Sequence, residues 1–222
     1  MESKRVTLFA GHYGSGKTNI AVNYALWLKK SGKPTAIADL DIVNPYFRTK
    51  DSKKLLDENG IELIASAFAN TNVDFPALPA ETYSLVMRDD VYAVIDVGGD
   101  DRGALALGRY TPFILAENNY EMLFVANGYR PLTRTAEEAL EVMREIEAAG
   151  GIPFTAIVNN SNLGRETTAE DLLASRAFAE RLSVLSGLPI KFTSADERIC
   201  PIGGVEDLFP LSLAERYYDV ND

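Results

Sequence analysis

The residues Gly11-His12-Tyr13-Gly14-Ser15-Gly16-Lys17-Thr18 fit the phosphate-binding pattern GxxxxGK[ST]. Its glycines let the backbone curl so that successive N–H groups from Gly11, His12, Tyr13, Gly14, Ser15 and Gly16 face one phosphate chain. The helix that opens behind them adds the positive end of its dipole. Lys17 would then contact the β- and γ-phosphates, and the Thr18 hydroxyl would hold Mg²⁺. Asp39 and Asp41 stand two apart at a strand end, which aims both carboxylates to one face with Cα atoms about 6.5 to 7 Å apart. Asp39 is expected nearer the metal and Asp41 is expected to orient an attacking water. In Val94-Ile95-Asp96-Val97-Gly98-Gly99 the apolar run before Asp96 makes a Walker B element, with Asp96 reaching Mg²⁺ directly or through water. The Gly99 N–H would bond the γ-phosphate and sense its loss. The chain contains no glutamine, so an aspartate must do the work of a water-positioning glutamine.

A guanine-selective chain is expected to carry Asn-Lys-x-Asp at a later strand end, where this sequence reads Asn159-Asn160-Ser161-Asn162. Without that lysine and aspartate, adenine is favoured, and the Asn159 amide offers the donor and acceptor that a purine edge needs. The competing reading makes Asn159 and Asn160 plain turn residues.

Elements that position these groups alternate along the chain. Arg5 to Ala10 reads as a buried strand and Thr18 to Lys30 as a helix, so the glycines fall on the strand-to-helix turn. Further strands are predicted at Pro34 to Asp41, Ile61 to Ala65, Tyr92 to Asp96, Met122 to Ala126, Phe154 to Asn159 and Ile190 to Thr193. Thr135 to Glu138 is a capping box opening a helix with Ala139, Val142, Met143 and Ile146 inward, closed by Gly150-Gly151. A similar box at Thr167 to Glu170 opens a helix burying Leu173, Phe178, Leu182 and Leu185. Ser66 to Asp90, broken by Pro76 and Pro79, reads as an insertion or a loop leading into a helix. This alternation with short connections predicts a single α/β domain over residues 1–222 with a mostly parallel sheet.

Composition narrows the function classes. The net charge of −10 argues against a broad nucleic-acid surface, which needs lysines and arginines to displace counterions. No apolar run approaches the ~18 residues of a spanning helix, and the acidic carboxyl end lacks the basic face of a membrane-surface helix. The expected location is the cytoplasm. Cys200, the one cysteine, leaves no disulfide pair and no CxxC metal site.

Together the phosphate loop, Asp39-Leu40-Asp41, Asp96-Val97-Gly98-Gly99-Asp100 and Asn159 resemble the MinD, ParA and nitrogenase-iron-protein class of P-loop ATPases. Dethiobiotin synthetase and the nucleotide-binding part of cobyrinic acid a,c-diamide synthase belong to the same superfamily. The resemblance implies a three-layer P-loop NTPase fold, with a sheet of seven or eight strands and helices on both faces. It also implies bound ATP with Mg²⁺ and a homodimer that acts as a switch on a protein partner. Asp41 matches the water-orienting aspartate, Asp96 the Walker B carboxylate and Asn159 the adenine contact, and Ser194 to Ile199 is similar to the loop that closes over adenine. MinD and ParA relatives carry a second lysine near the start of the loop, which crosses to the partner's phosphates; here His12 stands there, which either donates a hydrogen bond or, when charged, partly replaces that cation, or is simply an exposed loop residue. Asn44 to Arg48 reads as a partner-facing loop or a solvated turn, with Arg48 either a charge-stabilising finger or an ordinary surface arginine. The leading expectation is a slowly hydrolysing ATP switch. The alternative is an ATP-dependent biosynthetic ligase or small-molecule kinase, and a scaffold that barely turns over is a third.

Overall fold

The computed structural model of this 222-residue chain describes residues 1–40, 52–65, 80–99 and 101–212. Asp41, the 44–48 loop with Arg48, residues 66–79, Asp100 and the carboxyl end from 213 lie outside the described residues. Eight strands, β1 (Val6–Ala10), β2 (Thr35–Asp39), β3 (Glu62–Ala65), β4 (Tyr92–Asp96), β5 (Tyr120–Ala126), β6 (Ala156–Asn159), β7 (Ile190–Asp196) and β8 (Leu208–Leu211), form one sheet. Their spatial order is β3-β2-β4-β1-β5-β6-β7-β8, and every neighbouring pair is parallel. Parallel strands need crossovers, and the chain supplies helices α1 (Lys17–Lys30), α2 (Lys53–Glu58), α3 (Ala80–Met87), α4 (Asp101–Gly108), α5 (Thr111–Glu117), α6 (Ala136–Gly150) and α7 (Ala169–Ser186).

Because both faces are covered, the strands are apolar on both sides. Val6, Leu8 and Ala10 of β1 face a core shared with Leu107 of α4, Ile114 of α5 and Ala139 and Met143 of α6. Phe9 faces the opposite core with Ile20, Tyr24 and Leu28 of α1 and Leu56 of α2. The period-2 alternation thus sorts the helices into two layers around β1, the strand that carries the phosphate loop.

Where α6 begins, the Thr135 hydroxyl accepts from the Glu138 N–H and the Glu138 carboxylate accepts from the Thr135 N–H, the box the sequence predicts. The α7 box is a correction: Thr168 and Asp171 form it, one residue later than expected. Thr167 is already engaged, its hydroxyl donating to the Gly164 carbonyl and accepting from the Leu163 N–H. The shift turns Leu172 inward and leaves Leu173 exposed, against expectation.

The strand boundaries also move. β7 continues past Thr193 through Ser194 and Asp196, polar residues that are nonetheless buried. β8 is a strand that the sequence reading does not assign; its Pro210 is tolerated because β8 is the edge of the described sheet, where one row of N–H groups has no ladder to join. Phe209 fixes this edge, with its ring 4.8 Å from Phe192 and 6.1 Å from Tyr24, centroid to centroid.

A buried acid ties β1, α1, β5 and β7 together. Glu121 accepts from the Thr7 hydroxyl at 3.1 Å and the Tyr24 hydroxyl at 2.9 Å, and pairs with the Lys191 ammonium at 2.7 Å. Burial first, then the neighbouring Glu121 charge, pushes the Tyr24 phenol far above its ordinary range, so it remains a donor at any physiological pH. Tyr24→Phe removes one of these donors from a buried carboxylate, and we expect urea unfolding to report a loss of about 1 to 3 kcal/mol with unchanged slope. An unchanged midpoint would show that the hydroxyl contributes nothing to the fold.

Candidate functional site

β1 delivers the phosphate loop and α1 receives it. Gly16 is the helix N-cap with φ of 91°, no side chain caps the first turn, and no acidic residue lies within it. The opening amides of α1 are therefore not satisfied by a side-chain cap, and the dipole end faces the loop without a resident carboxylate. A side chain at Gly16 would be strained at that φ, and its Cβ would fall 2.3 Å from the Asn160 amide nitrogen. The loop also approaches β5 closely: a Cβ on Gly11 would sit 2.5 Å from the Val125 carbonyl oxygen.

Inside the loop the Ser15 N–H donates to the His12 carbonyl at 3.1 Å, and the Lys17 ammonium donates to the same oxygen at 3.3 Å. Lys17 and Thr18 are buried, whereas Tyr13 and Gly14 are exposed at the tip. The His12 Nδ1 lies 2.9 Å from the Tyr13 carbonyl, which only accepts, so that nitrogen carries the proton.

The acidic residues arrive by strand register. Asp39 of β2 pairs with Asp96 of β4, so the two carboxylates share one face of adjacent parallel strands about 4.8 Å apart. Asp96 is fully buried and Asp39 nearly so. Two buried carboxylates in register, on strands that pack against the helix carrying Thr18, offer hard oxygens of the kind that suit Mg²⁺. Gly99, three residues past Asp96, packs directly on the loop: a Cβ there would lie 2.7 Å from the Lys17 ammonium and 2.8 Å from the Tyr13 nitrogen. Asp41, the remaining predicted catalytic residue, lies outside the described residues.

At the end of β6 the two asparagines have different tasks. Asn159 is fully buried; its amide nitrogen donates to the Ser175 hydroxyl at 3.0 Å and its oxygen accepts from the Ser161 N–H at 3.3 Å. Asn160, which the sequence offers only as a turn residue, is the one that touches the phosphate loop. Its nitrogen donates to the Ser15 carbonyl at 2.6 Å and its oxygen accepts from the Ser194 hydroxyl at 2.7 Å, joining the loop to β6 and β7. Asn162 bends back, donating to the Asn160 carbonyl at 2.7 Å and accepting from the Gly164 N–H at 3.0 Å. Of the 194–199 segment expected to close over a base, Ser194 to Asp196 complete β7 and Glu197–Ile199 form a short 3-10 turn. The Arg198 guanidinium donates to Asp196 and holds its carboxyl below the usual range.

No family model and no curated protein matches this chain. Solved structures do. The cell division protein FtsY of Thermotoga maritima aligns at TM-score 0.62 and 18% identity, over 88% of this chain and 63% of that one. The signal recognition particle receptor FtsY of Elizabethkingia anophelis in complex with GDP aligns at 0.55 and 16% identity, over 97% and 62%. The signal recognition particle 54 kDa protein of Aeropyrum pernix in complex with GDP aligns at 0.52 and 15% identity, over 86% and 41%. The present chain thus spans less than two thirds of each of these structures, and no helix among its described residues is long and apolar enough to cross a membrane.

Asn160→Ala removes the side chain that, among the described residues, links the Ser15 carbonyl to the end of β6. We expect amide exchange over residues 12–17 to accelerate by roughly 10-fold while the core strands keep their protection. Unchanged exchange in the loop would mean that the loop holds its shape without this clamp. The eight parallel strands, the glycine turn ahead of α1 and these structural likenesses together give the chain the α/β fold of the P-loop nucleoside triphosphatases.

Proposed function

We propose that the chain binds ATP with Mg²⁺ at the 11–18 loop and hydrolyses it slowly, as a switch that controls self-association or a protein partner. The observation that carries this reading is the uncapped start of α1, with Lys17 and Thr18 in its first turn and the Asp39 and Asp96 carboxylates in register beside it. In this reading the main-chain amides of Gly14 to Thr18 and the Lys17 ammonium bear the charge that grows on the β- and γ-phosphates as water attacks in line. Thr18, Asp39 and Asp96 hold the metal, whose chemistry is to neutralise phosphate charge. Asp41 orients the water.

Gly99 gives the switch its trigger. Its backbone already rests on Tyr13 and Lys17, so a γ-phosphate entering between them engages the Gly99 N–H and displaces the segment after β4. The MinD and ParA class supplies the precedent for coupling such a movement to an ATP-bound homodimer.

The base is the second choice within this reading. Two of the similar structures contain GDP, whereas Asn162 here presents an amide already committed to Asn160 and Gly164. With no carboxylate at that position to pair with the two N–H groups of guanine, adenine is the preferred base.

Competition between ATP and GTP for the purified protein is expected to favour ATP by at least about 10-fold, the scale of one good hydrogen-bond pair. Equal affinity, or preference for GTP, would contradict the base assignment. Light scattering should then show a dimer with Mg·ATP, a monomer with Mg·ADP, and a longer-lived dimer with Mg·ATP and Asp41→Ala. A molar mass indifferent to nucleotide, with ATP use that depends on an added metabolite, would replace the switch with a biosynthetic transferase.

A further inference from the structure

We propose that Arg130, in the loop after β5, is a cation that this chain supplies to the terminal phosphate of its own nucleotide. The inference rests on the reading of the 11–18 loop as a nucleotide site and assigns it a residue that no motif announces.

The topology puts Arg130 there. β4 and β5 flank β1, so the segments that follow them bracket the phosphate loop from two sides. Gly99 touches the loop tip at Tyr13, after β4; on the β5 side, the Arg130 Nε lies 4.0 Å from where a Cβ on Gly14 would stand. Arg130 is thus the basic side chain set against the exposed tip of the loop, where the γ-phosphate would lie.

The turn that presents it is fixed before any ligand arrives. Arg130 precedes Pro131 and has the extended backbone this demands, with φ −103° and ψ 143°. Its N–H donates to the Asn127 carbonyl at 3.2 Å and its carbonyl accepts from the Thr133 N–H at 3.1 Å. The Thr133 hydroxyl donates to that same Asn127 oxygen at 2.8 Å, the Tyr129 N–H donates to the Asn127 side chain at 3.0 Å, and the Gly128 N–H donates to the Ser161 hydroxyl at 3.0 Å. None of these bonds uses the guanidinium.

The side chain, by contrast, has no acceptor among the described residues. The Arg130 Nε is buried without a hydrogen-bond partner, and among the described residues no carboxylate pairs with this arginine. Two further buried groups of the same neighbourhood are also unpartnered: the Asn127 amide nitrogen, on a residue 1% exposed, and the Ser15 hydroxyl, on a residue 2% exposed. Buried donors left unmade are costly, most of all charged ones, and one in the loop with two in the turn that carries Arg130 call for an oxygen-rich anion. A planar guanidinium matches the oxygens of a phosphate better than an ammonium does. A cation in place on the same chain also gives the site positive charge at the loop tip where His12 stands instead of the second lysine of the MinD and ParA class.

Titration calorimetry with Mg·ADP and Mg·ATPγS, together with steady-state ATP hydrolysis, tests this on Arg130→Ala and Arg130→Lys. We expect Arg130→Ala to keep its Mg·ADP affinity within about 3-fold while losing roughly 10- to 100-fold in Mg·ATPγS affinity and in turnover, with Arg130→Lys recovering part of both. Retained Mg·ADP binding also reports that the variant is folded. Wild-type values for Mg·ATPγS and turnover in Arg130→Ala overturn the proposal, as does an equal loss of both nucleotides, which would make the arginine a structural residue. If the unaltered protein takes up neither nucleotide, the nucleotide site itself is refuted and this assignment with it.

Discussion

The structure turns on the start of one helix. The first turn of α1 has no side-chain cap and no carboxylate, and its N-cap is a glycine in a left-handed conformation. An N-terminus of this kind concentrates main-chain N–H groups and positive potential at one point, which is unfavourable to bury unless an anion answers it. Two carboxylates, Asp39 and Asp96, stand in register on β2 and β4, strands that pack against α1. A polyphosphate with a divalent cation is the ligand proposed for this arrangement.

The sheet exists in the form that makes this juxtaposition possible. Parallel strands all end on the same side, so β1, β2, β4, β5, β6 and β7 deliver the phosphate loop, Asp39, Asp96, Arg130, Asn160 and Ser194 to one edge. The sorting of alternate residues into two helical layers fixes the register, and the buried Glu121 cluster with the aromatic contacts of Tyr24 hold α1 against it. Positioning at the loop is therefore set by core packing some distance away.

Much of this was legible in the chain because it is local. The phosphate loop, the strand before it, the Thr135 box and the Asp96 strand end each follow from residues within a few positions of one another, and the structure places them as read. The Thr168 box was misplaced by one residue because the decision lay in what Thr167 bonds, which adjacent threonines do not reveal. β8 was illegible for a different reason: only its position at the sheet edge makes Pro210 acceptable. Helices α4 and α5 were likewise unassigned, being short segments stabilised by packing rather than by a clear period. The bond of Asn160 to Ser15 and the approach of Arg130 to Gly14 could not be read at all, since those loop residues lie in a distant part of the sequence and meet them only once β1, β5 and β6 are assembled.

A nucleotide site differs from a plain glycine-rich turn in an α/β protein in that the loop and Lys17 together grip phosphates. Calorimetric titration of Mg·ATP into the purified chain and into Lys17→Ala measures that grip most directly. We expect saturable one-to-one binding by the unaltered chain and a loss of roughly 100-fold or more in the variant, on the scale of removing a charged partner from a desolvated site. Absence of binding in the unaltered chain, or equal affinity in Lys17→Ala, would contradict it.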